Sequence, residues 1–408
     1  MSRIVLGVAG GIAAYKACEL LRRLTESAHE VTVVPTENAL AFVGEATWAA
    51  LSGRPVHTQV FEAVHEVPHV RIGQHADLVV VAPATADLLA RAASGRADDL
   101  LTNVLLTAHC PVLMAPAMHT EMWLHAATQA NVALLRSRGV LVMDPADGRL
   151  TGADSGPGRL PEASDIAAVC VSLLDDAATV DAVRTRDLAG RHVVVSAGGT
   201  HEALDPVRFL GNASSGLQGI ALARAASLRG ARVTLVAANV TQPLPSGCTV
   251  VPVVSTGDLA EAMLALQPDA DAIVMAAAPA DFTPAEVSAG KIKKDGDAGL
   301  ELRLRQTTDV LATLSARRPR AQVIVGFAAE TAADDTELMA LGRAKLARKG
   351  CDLLVLNNVS GGAVFGRPDN SVAVIDARGT VASAQGDKAV IAHRIWDAVV
   401  ASGLKENP

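Results

Sequence analysis

Aromatic side chains are almost missing from this 408-residue chain: six Phe, three Trp and one Tyr make up 2% of it, while hydrophobic residues as a whole make up half. Val, Ala and Leu must therefore fill the interior, which suits parallel strands buried on both faces and close helix–sheet contacts. Cysteine is scarce too. Cys18, Cys110, Cys170, Cys248 and Cys351 are odd in number, widely spread and never at metal or redox spacing, which argues against a zinc site or a disulfide framework. Positive charge is not in excess: 36 Lys and Arg face 43 Asp and Glu, a net charge of −7, so no nucleic-acid partner is expected. Long hydrophobic runs are lacking as well. The longest, Leu78 to Ala84 and Ile273 to Ala280, fall far below the ~18 residues a membrane span needs. They read as buried strands running into turns, and no membrane partner is expected. The chain passes at once into the apolar run Ile4-Val5-Leu6 without a basic segment, long apolar core or cleavage site, so a cytoplasmic location is expected.

What is present is alternation. Short Val/Ile runs alternate with Ala/Leu/Arg segments of helical period, the pattern of a parallel sheet covered by helices, and the fold class is α/β. Strands are expected at Arg3–Val8, Glu30–Pro35, Ala76–Ala82, Val112–Ala115 and Val140–Met143. Helices are expected at Ala13–Glu26, Ala39–Ser52, Leu88–Ser94, Asp99–Thr107, Thr120–Arg138 and near Ser164–Leu174. A polar stretch from Asp175 to Arg186 has no strand pattern and reads as a linker. The pattern then restarts, with strands at His192–Thr200, Ala231–Ala237, Thr249–Val253, Asp271–Ala276, Val323–Phe327, Leu353–Leu356 and Ser371–Ile375. Two Rossmann-like three-layer domains in series follow, at 1–175 and 189–408, with 176–188 between them.

Each half begins with a glycine turn. The run from Ile4 through Gly7, Gly10 and Gly11 to Lys16 is a strand, a turn and a helix start, which turns backbone N–H groups and the helix dipole toward one point where a phosphate fits. The spacing is not the dinucleotide G-x-G-x-x-G. The second strand ends in Val34-Pro35-Thr36 rather than an acidic ribose ligand, so a mononucleotide or flavin phosphate, with the Thr36 hydroxyl as donor, fits better than NAD. Taken alone, the same glycines also serve simply to let a helix lie close on a strand. The second turn, Gly198-Gly199-Thr200, is followed by Asn212-Ala213-Ser214-Ser215-Gly216 before a helix at Gly219–Ser227. That cluster is a second anion site or a set of helix caps.

The residues then become specific. Gly10-Gly11-Ile12-Ala13-Ala14-Tyr15-Lys16, His69-Val70-Arg71-Ile72, Ala82-Pro83-Ala84-Thr85-Ala86-Asp87, Pro116 to Trp123 and Gly156-Pro157-Gly158-Arg159 resemble the flavin-dependent cysteine decarboxylase family. Ala197-Gly198-Gly199-Thr200, Arg208 to Gly216, Ala277 to Phe282 and Lys291-Ile292-Lys293-Lys294 resemble phosphopantothenate–cysteine ligases. In tandem, over nearly the whole chain, they resemble the bacterial bifunctional coenzyme A biosynthesis family. The resemblance implies a flavodoxin-like decarboxylase domain followed by a ligase domain. The ligase would activate the carboxylate of 4′-phosphopantothenate with CTP, and cysteine would displace CMP from the acyl-cytidylate. The first domain would then use FMN to convert 4′-phosphopantothenoylcysteine to 4′-phosphopantetheine. A carboxylate is a poor electrophile until activated, and a cysteine carboxylate leaves easily only after oxidation creates an electron sink.

For the decarboxylase half the resemblance assigns Gly10, Gly11, Ile12, Thr36, Pro83, Ala84, Thr85 and Ala86 to FMN and His69 to proton exchange, while His65 and His75 are expected to be dispensable. His119 stands where the family usually has Asn, and holds the substrate carboxylate with an imidazole instead of an amide. Met118 lies along the substrate with Phe42 as a further wall, and Arg159 belongs to a flap carrying a charge for a carboxylate or phosphate. In many relatives a cysteine four residues before Gly156 supplies the last proton. Here that position is Gly152, which leaves Thr151, Asp154, Ser155 or water as donor.

For the ligase half the resemblance makes Lys291 the charge that stabilises cytidylate formation and Asn212 the amide that handles the acyl-cytidylate. Met275, Ala276, Ala277, Asp281, Lys291 itself, Thr308, Asp309, Val310, Phe327, Lys345 and Lys349 match nucleotide-site positions, and Asp281 would help position Mg²⁺. Family assembly implies trimers of the first domain with FMN at subunit boundaries and dimers of the second, which together permit a dodecamer. Two other functions compete: a flavin-binding regulatory protein with only the ligase half active, and an NAD(P)-dependent reductase.

Overall fold

The computed structural model describes residues 1–58, 68–150, 155–293, 299–360, 367 and 369–404. His65, Thr151, Gly152, Asp154 and Lys294 lie outside them. The chain divides into two compact units, Met1–Asp187 with Pro245–Gly247, and Leu188–Leu244 with Cys248–Pro408.

In the first unit β1 (Arg3–Val8), β2 (Glu30–Pro35), β3 (Leu78–Ala84), β4 (Val112–Pro116) and β5 (Leu141–Val142) form one parallel sheet in the order β2-β1-β3-β4-β5. All seven residues of β3 are buried, as a strand covered on both faces requires. Helix Ala14–Glu26 buries Ala14, Ala17, Leu20, Leu21 and Leu24 at helical spacing. This strand order is the flavodoxin-like one, whose chain reverses direction across the sheet between β1 and β3, and ligands bind outside the carboxyl ends at that point. A hairpin of β6 (Ala146–Arg149) and β7 (Ser155–Arg159) follows. The flap expected at 156–159 is therefore a paired strand.

Three expectations are corrected here. The segment 176–188 is no linker over most of its length but folds as helix Ala177–Thr185, because Asp176 caps it by accepting the Thr179 amide at 2.9 Å and Val180 and Val183 bury one face. The single helix expected over Ala39–Ser52 is two, Glu37–Leu40 and Glu45–Ser52, parted where Gly44 is extended. Thr120–Arg138 likewise divides into Thr120–Leu124 and Ala126–Ser137, because His125 is extended and its Nδ1 accepts the Ala127 amide.

The second unit contains β8 (His192–Gly198), β9 (His201–Ala203), β10 (Phe209–Gly211), β11 (Arg232–Ala238), β12 (Cys248–Val253), β13 (Ala272–Met275), β14 (Phe282–Pro284), β15 (Leu304–Gln306), β16 (Val323–Glu330), β17 (Leu353–Asn358), β18 (Asp369–Asp376) and β19 (Gly379–Asp387). Its main sheet runs β12-β11-β8-β13-β16-β17-β18-β19, the first six parallel and the last two antiparallel. This is a second doubly wound order, with its switch point between β8 and β13. Apolar cores lie against it, one including Trp396, whose indole donates to the Leu222 carbonyl at 2.9 Å, and another including Leu259, Met263 and Leu314. The pairs β9–β10 and β14–β15 are short and antiparallel.

Candidate active sites

In the first unit the turn after β1 meets the segment after β2. A Cβ on Gly10 would stand 2.3 Å from the Asn38 Cβ, so only glycine lets these two segments touch. Thr36 is buried, and its hydroxyl has no hydrogen-bond partner among the described residues. A Cβ on Gly11 would lie 3.5 Å from the Thr85 methyl, so the turns after β1 and β3 are neighbours. Thr85 caps helix Ala86–Ser94 by accepting the Leu88 amide, and the Ala9 amide donates to the Pro83 carbonyl at 3.1 Å. Gly10, Gly11, Thr36 and the Pro83–Ala86 turn thus gather at the switch point, with Ile12 exposed beside them.

The turn after β4 joins this group. The Ala117 amide donates to the Ala84 carbonyl at 3.1 Å and the Met118 amide to the Gly158 carbonyl at 2.9 Å. Gly158 has no room for a side chain, since a Cβ would meet the Met118 oxygen at 2.3 Å. Met118, His119 and the Gly156–Arg159 strand are therefore held together by backbone contact. The Arg159 guanidinium is paired with Glu162 at 2.8 Å. Ser155, exposed at the start of β7, is the one expected proton donor that falls within the described residues.

His69 is placed differently. It lies on helix Pro68–His75, its carbonyl accepts the Thr107 hydroxyl at 3.0 Å, and its Nδ1 is buried without a partner among the described residues. Among the described residues no hydrogen bond joins it to the glycine turn. His75 is tied to its own helix, Nδ1 lying 2.7 Å from the Arg71 carbonyl.

In the second unit a cleft of about 730 Å³ opens at the switch point, lined by residues 212–219, 275–282 and 306–311 with Phe327, Lys345 and Lys349. Asn212, Met275, Ala276, Ala277, Asp281, Thr308, Asp309 and Val310 all face it. Helix Leu217–Leu228 starts there from Gly216, at φ +77°, with no side-chain cap among the described residues, so its first amides remain open to an anion. Thr200 does not share that role. It is fully buried, accepts the Ala280 amide at 2.8 Å and pairs with Thr256 at 2.9 Å, which fixes the 276–281 turn. Asn212 Nδ2 donates to the Pro279 carbonyl at 2.9 Å.

On the opposite wall Lys349 pairs with Asp309, and Lys345 with Glu330 at 2.8 Å. Burial alone would raise the Asp309 carboxyl, but the Lys349 ammonium and the Ala312 amide together hold it below the usual carboxylate range. Lys291 is exposed and does not line the cleft. Its segment is tethered by Asp205, which no sequence reasoning singled out. The buried Asp205 carboxylate accepts the Val207, Arg208 and Ile292 amides at 2.7, 2.7 and 3.1 Å and the Arg208 guanidinium at 2.6 Å. Against the upward push of burial, these donors lower its carboxyl to about 2. The Asp-Pro-x-Arg run was the available signal, a turn carrying its own acceptor. Asp205→Asn, which loses the charge and leaves one carbonyl oxygen for four donors, is expected to lower ligase turnover about tenfold with the flavin half unchanged. Parental ligase turnover would refute the tether's importance.

Asp281 is exposed, and among the described residues no group of three or more His, Cys, Asp or Glu is arranged to hold a metal ion. A resident metal centre does not fit these residues. No helix among them is long and apolar enough to cross a membrane.

Both units are doubly wound α/β domains, each with its candidate site at the switch point of its sheet. Residues 1–175 match the Flavoprotein family model and residues 188–402 that of the DNA/pantothenate metabolism flavoprotein C-terminal domain. The chain is 56% identical over 98% of its length to the Coenzyme A biosynthesis bifunctional protein CoaBC of Mycolicibacterium smegmatis, covering 97% of that protein. It is 41% identical to the Bacillus subtilis protein of the same name, over 91% of this chain and 89% of that one. A crystal structure of the C-terminal domain of such a protein matches 53% of the chain and 97% of its own length at 29% identity and a TM-score of 0.44. The chain belongs to the family of bifunctional coenzyme A biosynthesis proteins. It is an enzyme with a ligase half and a decarboxylase half.

Proposed function

We propose that the second unit joins cysteine to 4′-phosphopantothenate with CTP, and that the first decarboxylates the product with FMN to give 4′-phosphopantetheine. The observation that carries the ligase reading is that expected nucleotide positions from separate stretches of sequence, among them Ala277, Asp309, Phe327 and Lys349, line one cleft. The substrate carboxylate attacks the α-phosphorus of CTP, pyrophosphate leaves, and the cysteine amine then displaces CMP from the acyl carbon. Lys291 stabilises charge at phosphorus, and Asn212, fixed through Pro279, faces the acyl-cytidylate. Mg²⁺ enters as the counter-ion of the nucleotide phosphates, with Asp281 its carboxylate neighbour.

The first unit fits a flavin phosphate. The unpartnered buried Thr36 hydroxyl and the side-chain-free surface of Gly10 and Gly11 are what a phosphate lying against backbone amides requires. FMN bound there would supply a two-electron acceptor for the cysteinyl side of the substrate and a donor of those electrons once CO₂ is lost. His69 exchanges the protons that accompany those electrons, and His119 holds the carboxylate that leaves. The buried His69 Nδ1, without a partner among the described residues of its own chain, supports a flavin site completed by a second copy. Trimeric contacts in this unit and dimeric contacts in the other, closing a dodecamer, are further supported by exposed apolar residues in each: Ile12, Tyr15 and Leu124 in the first, Phe209, Phe282 and Leu304 in the second. Such chemistry belongs in the cytoplasm.

The test is product analysis of the purified protein given 4′-phosphopantothenate, cysteine, Mg²⁺ and either CTP or ATP. The expected products are CMP, pyrophosphate, CO₂ and 4′-phosphopantetheine, with CTP preferred. Accumulation of 4′-phosphopantothenoylcysteine would overturn the decarboxylase reading and leave a flavin-binding module on an active ligase.

A further inference from the structure

The ligase cleft has a wall that the nucleotide residues do not account for. Lys388 opens the C-terminal helix Lys388–Ala401, is 7% exposed and still lines the cleft. Its ammonium donates to the Arg367 carbonyl and, at 3.4 Å, to the Asp369 carbonyl. An ammonium has three N–H groups, and among the described residues no carboxylate forms an ion pair with this one. Asp387 is engaged elsewhere, capping the helix at the Ala389 amide at 2.7 Å. A charge taken out of water and left without a counter-ion is costly, and burial accordingly lowers the Lys388 ammonium, only partly opposed by Asp369 and Asp387.

Gln218 stands beside it, on the first turn of helix Leu217–Leu228. Its Nε2 faces the Lys388 carbonyl at 3.4 Å, which fixes the orientation of the amide, and its Oε1 is buried with no partner among the described residues. Gln218 lines the same cleft. An unneutralised ammonium and an orphaned acceptor, side by side at two helix N-termini, are complementary to a phosphoryl group that carries a hydroxyl or amide N–H nearby.

We propose that Lys388 and Gln218 form a phosphoryl subsite of the ligase cleft, Lys388 donating to a phosphoryl oxygen and Gln218 Oε1 accepting from an N–H or O–H of the same molecule. The proposal rests on the ligase reading above. Two substrates offer this chemistry, 4′-phosphopantothenate through its 4′-phosphate and CTP through its phosphates and ribose.

The experiment uses the full-length protein with Lys388→Met, which keeps the apolar stem, and Gln218→Met, which keeps Lys388. Pyrophosphate release is measured while each substrate is varied, and the Kd of CTP alone is measured by titration calorimetry. Lys388→Met is expected to raise one KM about tenfold, the loss of one charged hydrogen bond, with kcat changed less, and Gln218→Met to raise the same KM by a smaller factor. A higher KM for 4′-phosphopantothenate with the CTP Kd unchanged assigns the subsite to the acid, and a higher CTP Kd assigns it to the nucleotide. Both KM values and the CTP Kd within twofold of the parent overturn the subsite, and if Lys388→Met does not fold, Gln218→Met alone decides by the same criterion. A parent that releases no pyrophosphate from CTP overturns instead the ligase reading on which the subsite rests.

Discussion

Full-length protein carrying Lys291→Met is expected to release pyrophosphate from CTP about 10²-fold more slowly than the parent, the loss typical of removing one donor aimed at developing charge. Supplied 4′-phosphopantothenoylcysteine should be decarboxylated at the parental rate, since Lys291 and the flavin turn lie in separate units. The effect should fall on kcat more than on the KM of CTP. Lys291 does not line the cleft, so CTP binding is expected to depend little on it and the exposed ammonium is expected to act as charge develops at phosphorus. Lys291→Arg should recover only part of the rate, because a guanidinium spreads over a planar fork the charge that an ammonium concentrates at a point. The Asp205 tether holds the backbone at residue 292 and leaves the Lys291 side chain exposed, which combines a fixed pivot with a free charge. Pyrophosphate release at the parental rate in Lys291→Met would remove this residue from the chemistry.

How much of this could be read from sequence depended on whether a residue's role is local. Arg3–Val8 and Glu30–Pro35 have the bounds expected, because a Val-rich run bounded by turn residues carries its own signal. Gly10 was legible for the same reason: a glycine next to a strand end marks a close approach even before the partner, Asn38, is known. The helix at 177–185 was missed because Asp175-Asp176 reads equally as a loop or a cap, and only the burial of Val180 and Val183 decides between them. β19 was missed because the residues it turns toward the core, Ala382 and Ala384, are too small to mark an apolar face in sequence, and its pairing with β18 across the turn at Asp376–Gly379 supplies its order. Lys388 carries no signal at all. A lysine at the head of an apolar helix is ordinary in sequence, and it becomes unusual only when residues 170 positions away in the chain, around Gln218, close over it.

The second large effect concerns His69. His69→Asn, which keeps a hydrogen-bonding side chain but cannot titrate, is expected to slow decarboxylation about 10²-fold or more, with ligase turnover and flavin content, read from visible absorbance, unchanged. The imidazole is positioned from behind, through the Thr107 hydroxyl on its backbone carbonyl, and Nδ1 has no partner within the described residues of its own chain. That arrangement leaves Nδ1 open to a group outside the described residues of its own chain. If the flavin of one copy is served by His69 of another, two inactive variants should repair each other. Gly10→Leu would drive a side chain into Asn38 and exclude flavin from its own turn while retaining His69. Co-expressed with His69→Asn, it should restore a fraction of the decarboxylase activity, because mixed assemblies contain boundaries that combine an intact turn with an intact histidine. Either variant alone should show none of that recovery. Activity of the co-expressed pair no higher than that of His69→Asn by itself would mean that turn and histidine serve each other within one chain.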